Sequence, residues 1–358
     1  MHRCVVNPAV ERIRINGFAF PLGVYPIEPV SPKPGYTVDF EPADGDEEWE
    51  EWPDRYVYEV LVSAERLRFL CSAMFSLLPG RIYPILDVLG NDAFREIDPY
   101  IAYELVGTDA LYDGIRWFEP FLFEDGLCGF GAMSDDPFIY FFVDEHKVLT
   151  IRVETAQKER VDRLLAAFDL AALPGEIQAA DAVNHEHRSV LLTPEDRPEL
   201  LGHDEVAEGL VDLWGMTLNI DVEQNTDDDG RELGITAWRC VVRDVDDRPD
   251  PKRSRRRYAE VLLTAGSWRD AEELAIQAAS QLPERRLQLP KAAAAAGDGG
   301  STPEADWSPE DADEPFLHVV TADRLTANEL RELAGAPIPD EALAADASGR
   351  ILRARWLE

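Results

Sequence analysis

Lysine is scarce in this chain, and acidic residues outnumber basic ones two to one. The 358 residues include 70 Asp or Glu against 35 Lys or Arg, which gives a net charge of −35. The few lysines are Lys33, Lys147, Lys158, Lys252 and Lys291. A surface this negative repels nucleic-acid phosphates and anionic lipid head groups. We therefore expect neither a nucleic acid nor a membrane as a partner.

Paired cysteines and long apolar runs are also missing. The four cysteines, Cys4, Cys71, Cys128 and Cys240, lie far apart without CxxC spacing. Such spacing favours buried thiols in a reducing compartment over a disulfide framework. No apolar run reaches the roughly 18 residues of a membrane span, and no secretory signal is readable near the start. We expect a cytoplasmic protein.

The size of the charge excess needs a reason, because the solubility of a small domain requires a net charge of only about 2–8. Three interpretations stay open. One is adaptation to a salty cytoplasm, where screening makes the charge tolerable. Another is docking onto a basic protein, where complementary charge raises the association rate. The third, mimicry of a nucleic acid, is a special case of docking.

Composition divides the chain into six segments. Residues 290–315 are rich in Ala, Gly and acidic residues, which indicates a flexible linker. The segment after it is too small to fold alone, so we expect it to dock. We predict a Pro-rich and acidic extension (1–55), a first domain (56–175), a connector (176–199), a second domain (200–289), a disordered acidic linker (290–315) and a C-terminal docking segment (316–358).

Apolar periodicity within the two predicted domains favours an α+β fold with two antiparallel-sheet units, each packed with helices. Helical spacing of apolar residues follows the N-cap candidates Ser63 and Ser267. The apolar stretch Trp117–Phe123 has the length of a strand. Strands are predicted at 56–63, 82–89, 138–143, 148–153, 217–222, 234–243 and 258–263.

The two predicted domains share one local pattern. Glu59–Ala64 and Glu260–Ala265 have closely similar residues where a strand enters a helix. One interpretation is a duplicated strand–helix module. The alternative is that buried strands entering capped helices converge on such sequences.

Tryptophans within acidic stretches are candidate partner-binding residues. Trp49 and Trp52 lie in or beside the acidic residues 41–51, and Trp307 lies in the acidic residues 304–314. An aromatic anchor surrounded by negative charge suits a basic protein surface. The one dense basic cluster contains Arg255, Arg256 and Arg257, and it is a candidate contact for a partner or for an acidic segment of the chain itself.

An oxygen-rich string resembles the first half of a calcium-binding loop. Asn225, Asp227 and Asp229 alternate before Gly230, as such loops require. The second half departs from the pattern, because Thr236 stands where a bidentate Glu is needed. Since Asp-Gly is also a hairpin-turn signal, a solvated turn is the alternative.

Three histidines form a second candidate metal site. His185 and His187 share one face if the segment is a strand, and His203 could complete a zinc site. The alternative is that they are surface histidines in a polar connector.

No catalytic motif is readable, so the leading hypothesis is a non-enzymatic binding or assembly protein that contacts a basic protein partner. The competing hypothesis is a metal-dependent enzyme that uses the Asn225–Gly230 loop or the three histidines. We predict no obligatory cofactor, and calcium and zinc are the ions that the second hypothesis implies.

Overall fold

The computed structural model describes residues 2–27, 29–43, 52–175, 183–185, 190–192, 197, 200–245, 257–283, 316–334 and 349–357; the side chains of 183–185, 245 and 316 are not described. The chain forms two compact units. The first comprises Met1–Asn91 and Arg95–Asp221, and the second comprises Asp92–Phe94 and Val222–Glu358. Both mix helices with antiparallel sheets, which confirms the predicted α+β class. The predicted linker and most of the connector lie outside the described residues.

The first unit contains most of the strands. They are β1 (Arg14–Ile15), β2 (Phe18–Ala19), β3 (Val24–Pro26), β4 (Gly35–Glu41), β5 (Arg55–Leu61), β6 (Arg81–Leu89), β7 (Ile97–Ile101), β8 (Val106–Gly107), β9 (Cys128–Asp135), β10 (Phe138–Val143), β11 (Leu149–Glu154), β12 (Val183–His185) and β13 (Thr217–Leu218). Its helices are α1 (Ala64–Phe75), α2 (Thr108–Glu124), α3 (Lys158–Ala167) and α4 (His203–Trp214).

The large sheet of this unit has the order β13-β7-β6-β9-β10-β11-β5-β4, with β8 also paired to β6. Side chains alternate between its two faces. On β10, Ile139, Phe141 and Val143 are buried in the core that includes residues of all four helices. We call this the inner face of the sheet. The opposite side chains of β10, such as Tyr140 and Phe142, form the outer face.

Helix α2 differs from the strand length suggested by Trp117–Phe123. These residues form its second half, after a kink at Phe118 and with Pro120 inside the helix. The buried Leu111, Phe118 and Leu122 lie on one side of the helix, as a helical period requires. Burial of this stripe offsets the cost of a proline in the helix.

The N-terminal strands cover one end of the outer face. Phe18, Phe20 and Val24 pack with Leu61 and Val148 in a small separate cluster. The cluster lies next to the β10–β11 connection, because Val148 immediately precedes β11. Side chains of that connection are therefore partly shielded from water.

The second unit is a four-stranded antiparallel sheet with two helices. Its elements are β14 (Thr236–Val245), β15 (Arg257–Ala265), α5 (Trp268–Ser280), β16 (Phe316–Leu325), α6 (Ala327–Ala334) and β17 (Arg350–Trp356), in the sheet order β16-β14-β15-β17. Trp238, Val261 and Ala275 belong to the core between the sheet and α5. Ser267 caps α5 by accepting a hydrogen bond from the Asp270 amide at 3.1 Å, as its sequence predicts.

The predicted duplication is not confirmed. Both copies of the pattern run from a strand towards a helix, but β5 ends at Leu61 and α1 begins at Ala64, whereas β15 continues to Ala265 before α5 begins at Trp268. The helix starts differ as well, since Ser267 caps α5 with its side chain whereas the side chain of Ser63 makes no cap hydrogen bond at α1.

A buried ion pair holds Asp92–Phe94 to the rest of the second unit. The side chains of Arg324 and Asp92 are 3% and 0% exposed, and Arg324 Nε lies 2.9 Å from Asp92 Oδ2. The Arg324 amide also donates to Asp92 Oδ2 at 2.8 Å. Because both charges are removed from water, each depends on the other for compensation.

Replacing Asp92 by Asn is expected to lower the free energy of unfolding by about 3–5 kcal/mol, since it leaves the Arg324 guanidinium buried without its counter-charge. Urea-induced unfolding of the full chain measures the loss. Asp229→Asn is the matched control, because it makes the same chemical change at an exposed position of the same unit. Equal stability of D92N and D229N would contradict the role given to the buried pair.

Candidate metal centre

The predicted calcium loop holds a guanidinium. Arg324 Nη1 donates to Asn225 Oδ1 at 3.1 Å and to the Thr226 carbonyl at 2.5 Å. The Asn225 amide donates to the Gly234 carbonyl at 2.6 Å and to Thr236 Oγ1 at 3.0 Å. The first ligand of the predicted loop is thus already bound to a cation that belongs to the chain.

The remaining residues of that loop close a turn. Asp227 Oδ1 accepts hydrogen bonds from the amides of Asp229 and Arg231, at 3.1 Å and 2.8 Å. Gly230 has φ +75°, and the side chain of Asp229 is exposed. The side-chain oxygens of Asn225 and Asp227 thus accept hydrogen bonds within the chain, and calcium binding at Asn225, Asp227 and Asp229 stays a prediction.

The predicted histidine group is only partly described. The backbone of His185 pairs with Val24 in β12, whereas its side chain and all of His187 lie outside the described residues. His203 is the first residue of α4, with its ring 5.2 Å from that of Phe121 and Nδ1 3.3 Å from Asp204. Although burial lowers the pKa of His203, the hydrogen bond to Asp204 and the charge of Asp125 raise it above its ordinary value.

The candidate partner-binding residues have internal contacts where they are described. Trp52 packs on the outer face, with its ring 5.5 Å from Phe138 and 6.4 Å from Tyr140. Arg257 lies 3.4 Å from Asp244 and stacks on Trp356 at 4.1 Å. Four residues named with them, Trp49, Trp307, Arg255 and Arg256, lie outside the described residues.

Three adjacent metal-ligating side chains converge at the connection between β10 and β11. One ligand atom each from Asp144, Glu145 and His146 lies within 4.8 Å of the other two. We call these three residues the turn cluster. Among the residues that the structure describes, it is the one group of three or more His, Cys, Asp or Glu side chains with this geometry.

The sequence of the turn explains this convergence. Asp144 Oδ1 accepts a hydrogen bond from the Val148 amide at 2.7 Å, and the Asp144 carbonyl accepts one from the Lys147 amide at 3.0 Å. Asp at the start of a turn commonly makes such side-chain bonds to the backbone. Lys147 has φ +64°, which reverses the chain sharply. The turn is thereby fixed from both sides of the cluster.

Two carboxylates at this end of the sheet have raised pKa values. Burial and the charge of Glu145 raise the pKa of Asp144 to about 7, against the opposing effects of its bond from Val148 and of Lys147. Burial and Glu145 also raise the pKa of Asp87, on β6, to about 6. Both pKa values are raised because the carboxylates are shielded from water and lie close to another negative charge.

Lys147 lies inside the unit, beneath the turn cluster. It is 1% exposed, and its Nζ donates to the Cys128 carbonyl and lies 3.6 Å from Cys128 Sγ. Burial raises the pKa of Cys128 to about 12, although Lys147 opposes the shift. Cys128 is therefore a thiol at neutral pH and not a ready nucleophile.

The sequence analysis placed residues 144–147 between the predicted strands 138–143 and 148–153 and assigned no site to them. The signal that could have identified a site was the run of Asp, Glu and His in a turn too short to separate their side chains. Asp87 carried no such signal, because its closeness to Glu145 arises from the pairing of β6 and β10 with the intervening β9.

Known proteins offer no guide to the site. No protein family matches the chain, and neither a curated protein nor a solved structure is significantly similar to it. Among the described helices, none is long and apolar enough to cross a membrane.

Replacing Asp144 by Asn is expected to stabilise the metal-free protein at about pH 8. The folded-state pKa of Asp144, about 7, lies above its ordinary value of 3.8, so stability falls as pH rises between these values. The amide keeps the oxygen that accepts from Val148 and removes the charge. Since one pKa unit corresponds to about 1.4 kcal/mol, the substitution can raise the free energy of unfolding by roughly 4 kcal/mol at most.

Urea-induced unfolding at about pH 5 and pH 8, in the presence of a chelator, measures this effect. The advantage of D144N should grow with pH, whereas D135N, at an exposed position at the end of β9, should show none. An advantage of D144N that shrinks as pH rises would contradict the assigned shift.

Proposed function

We propose that the chain is a metal-dependent protein that binds a divalent transition-metal ion at Asp144, Glu145 and His146. The observation that carries the proposal is the mutual distance of at most 4.8 Å between their ligand atoms. Calcium and magnesium prefer oxygen ligands alone, whereas an imidazole with two carboxylates suits zinc or manganese. The proposed ion is therefore Zn²⁺ or Mn²⁺.

The charge balance supports a divalent ion. Asp87, Asp144 and Glu145 bring three carboxylates to one end of the sheet, and burial with mutual repulsion keeps the pKa values of Asp87 and Asp144 high. Lys147 lies close enough to lower the pKa of Asp144, so it supplies one positive charge near these carboxylates. A divalent ion adds positive charge where these carboxylates repel one another.

Metal-assisted hydrolysis is the reaction class that this arrangement supports. Three protein ligands leave coordination positions for water or substrate, and a bound metal lowers the pKa of a water ligand towards neutrality. Asp87 is close enough to Glu145 for their charges to interact, and its pKa of about 6 suits a proton acceptor near neutral pH. This proposal takes up the metal-dependent enzyme, which was the competing hypothesis from the sequence, in place of the leading hypothesis of a non-enzymatic binding protein, and it assigns the metal to different ligands.

The cysteines support a cytoplasmic location as part of this proposal. All four are buried and free, which supports the cytoplasmic location expected from the sequence. The contact with a basic protein partner stays a prediction based on the net charge of −35. Trp52 contributes less to it than expected, because its ring packs on Phe138 and Tyr140.

Zinc or manganese should raise the melting temperature of the chelator-treated protein, and calcium at the same concentration should not. A ligand at 100 times its Kd stabilises a protein by about 2.7 kcal/mol. Calorimetric titration should give one ion per chain. The variants H146Q and D144N should weaken binding at least about tenfold, since each removes a ligand or its charge.

His2→Gln is the matched control for H146Q, because His2 is exposed and outside the turn cluster. Binding of the metal by wild type, H2Q and H146Q with equal affinity would place the ion elsewhere. Absence of binding of either metal by the wild-type chain would overturn the proposed function.

A further inference from the structure

The outer face of the first unit's sheet carries an aromatic surface. Tyr140 and Phe142 lie on it in β10, with ring centroids 6.2 Å apart, and Trp52 covers the Phe138 end. Among the described elements, the four helices of the unit contribute to the core on the opposite face. The tyrosine and phenylalanine are half-buried, so part of each ring remains accessible to a ligand.

Arg152, on β11, is the cation of this surface. Its guanidinium lies 5.2 Å from the Trp52 ring centroid and 5.3 Å from that of Tyr140. Its Nε atom is buried without a hydrogen-bond partner, and the described residues give Arg152 no ion pair. By contrast, the neighbouring Arg55 lies 2.8 Å from Glu41.

A guanidinium between aromatic rings has a defined binding preference. Its fork of donors matches a carboxylate, and the rings beside it favour a flat apolar body. A second guanidinium, that of Arg55, lies 4.9 Å from the Trp52 ring centroid, but it is already paired with Glu41. With Arg152 as the remaining guanidinium and a chain charge of −35, a monoanion is favoured over a dianion such as a phosphate monoester. The surface therefore has the chemistry for a ligand with one carboxylate on an aromatic ring.

We propose that the outer face of this sheet binds an aromatic monocarboxylate, with the carboxylate on Arg152 and the ring against Tyr140. The site differs from the turn cluster, because the four residue steps from Tyr140 to Asp144 span about 13 Å, although Asp87 lies close enough to Tyr140 to add to the rise that burial causes in the pKa of its hydroxyl. The proposal goes beyond the proposed function and does not depend on a bound metal. Benzoate is small enough that its binding tests the carboxylate contact with Arg152 alone.

Titration of the full chain with benzoate and benzamide tests the proposal, with tryptophan fluorescence and calorimetry as readouts. The two probes have nearly the same shape and differ in charge. Benzoate should bind at least about tenfold more tightly than benzamide, and chelation of metal should not change its affinity. Phenyl phosphate should bind more weakly than benzoate. Equal affinity for benzoate and benzamide, or no saturable binding of benzoate, overturns the proposal.

Variants locate the binding site. Arg152→Gln should weaken benzoate binding at least about tenfold, and Arg152→Lys should weaken it less, because it keeps the charge and loses the fork. Arg160→Gln is the control, since Arg160 is an exposed residue of α3 that donates to Gln157. Melting temperatures show whether each variant folds, and R152K carries the test if R152Q does not. Unchanged affinity in R152Q or R152K overturns the proposal.

The chain's own carboxylates are the competing occupants. The acidic residues Glu47, Glu48, Glu50 and Glu51 precede Trp52 in the sequence. If benzoate binds only after all four are replaced by Gln, an internal carboxylate occupies Arg152 and the proposal for an external ligand is wrong. Equal binding by this variant and the wild type supports the proposal.

Discussion

The burial of Lys147 is the constraint on which the candidate site depends. An ammonium enclosed in a protein needs compensation, and the Cys128 carbonyl and nearby carboxylates supply it. Its charge opposes the raised pKa values of both Asp125 and Asp144. Because Lys147 turns inward with a positive φ, the residues just before it are held in a tight turn at the surface. The convergence of Asp144, Glu145 and His146 is thus a consequence of where the lysine goes.

Arg324, the buried cation of the second unit, also needs compensating partners, and it finds them within that unit. Arg324 is surrounded by Asp92, Asn225 and the Thr226 carbonyl, so its hydrogen-bonding capacity is largely satisfied inside the unit. Such a pair specifies one arrangement of the segments that supply it, because any other arrangement leaves a buried charge uncompensated. In the first unit, Lys147 only partly opposes the raised pKa of Asp144, which burial and the charge of Glu145 bring to about 7. The bonds of Arg324 stabilise the fold of the second unit, whereas the carboxylates near Lys147 in the first unit are not fully balanced by positive charge.

Elements with a regular apolar period and a clear cap were predictable from the sequence. The paired strands β10 and β11 and the cap of α5 by Ser267 are examples. Helix α2 was harder, because Pro120 and a dense aromatic run argue against a helix while its buried stripe argues for one. In the folded protein, burial of this apolar stripe outweighs the unfavourable local sequence, and the segment is a helix. The site was less predictable than the fold, since Asp87 reaches the turn cluster only through strand pairing.

The two oxygen-rich turns of this chain show why a metal site is difficult to recognise from ligand types. The string from Asn225 to Gly230 has the oxygens and the glycine of a calcium loop, and its first side chain binds a guanidinium. The turn from Asp144 to His146 matches no calcium pattern; Asp144 accepts from the Val148 amide, and Glu145 Oε1 lies 3.6 Å from His146 Nδ1. A run of acidic residues states only that positive charge is needed. Whether the chain supplies that charge itself depends on a distant residue, which the local sequence does not reveal. The raised pKa of Asp144, caused first by burial and then by the charge of Glu145, is the additional signal that the fold supplies at this turn.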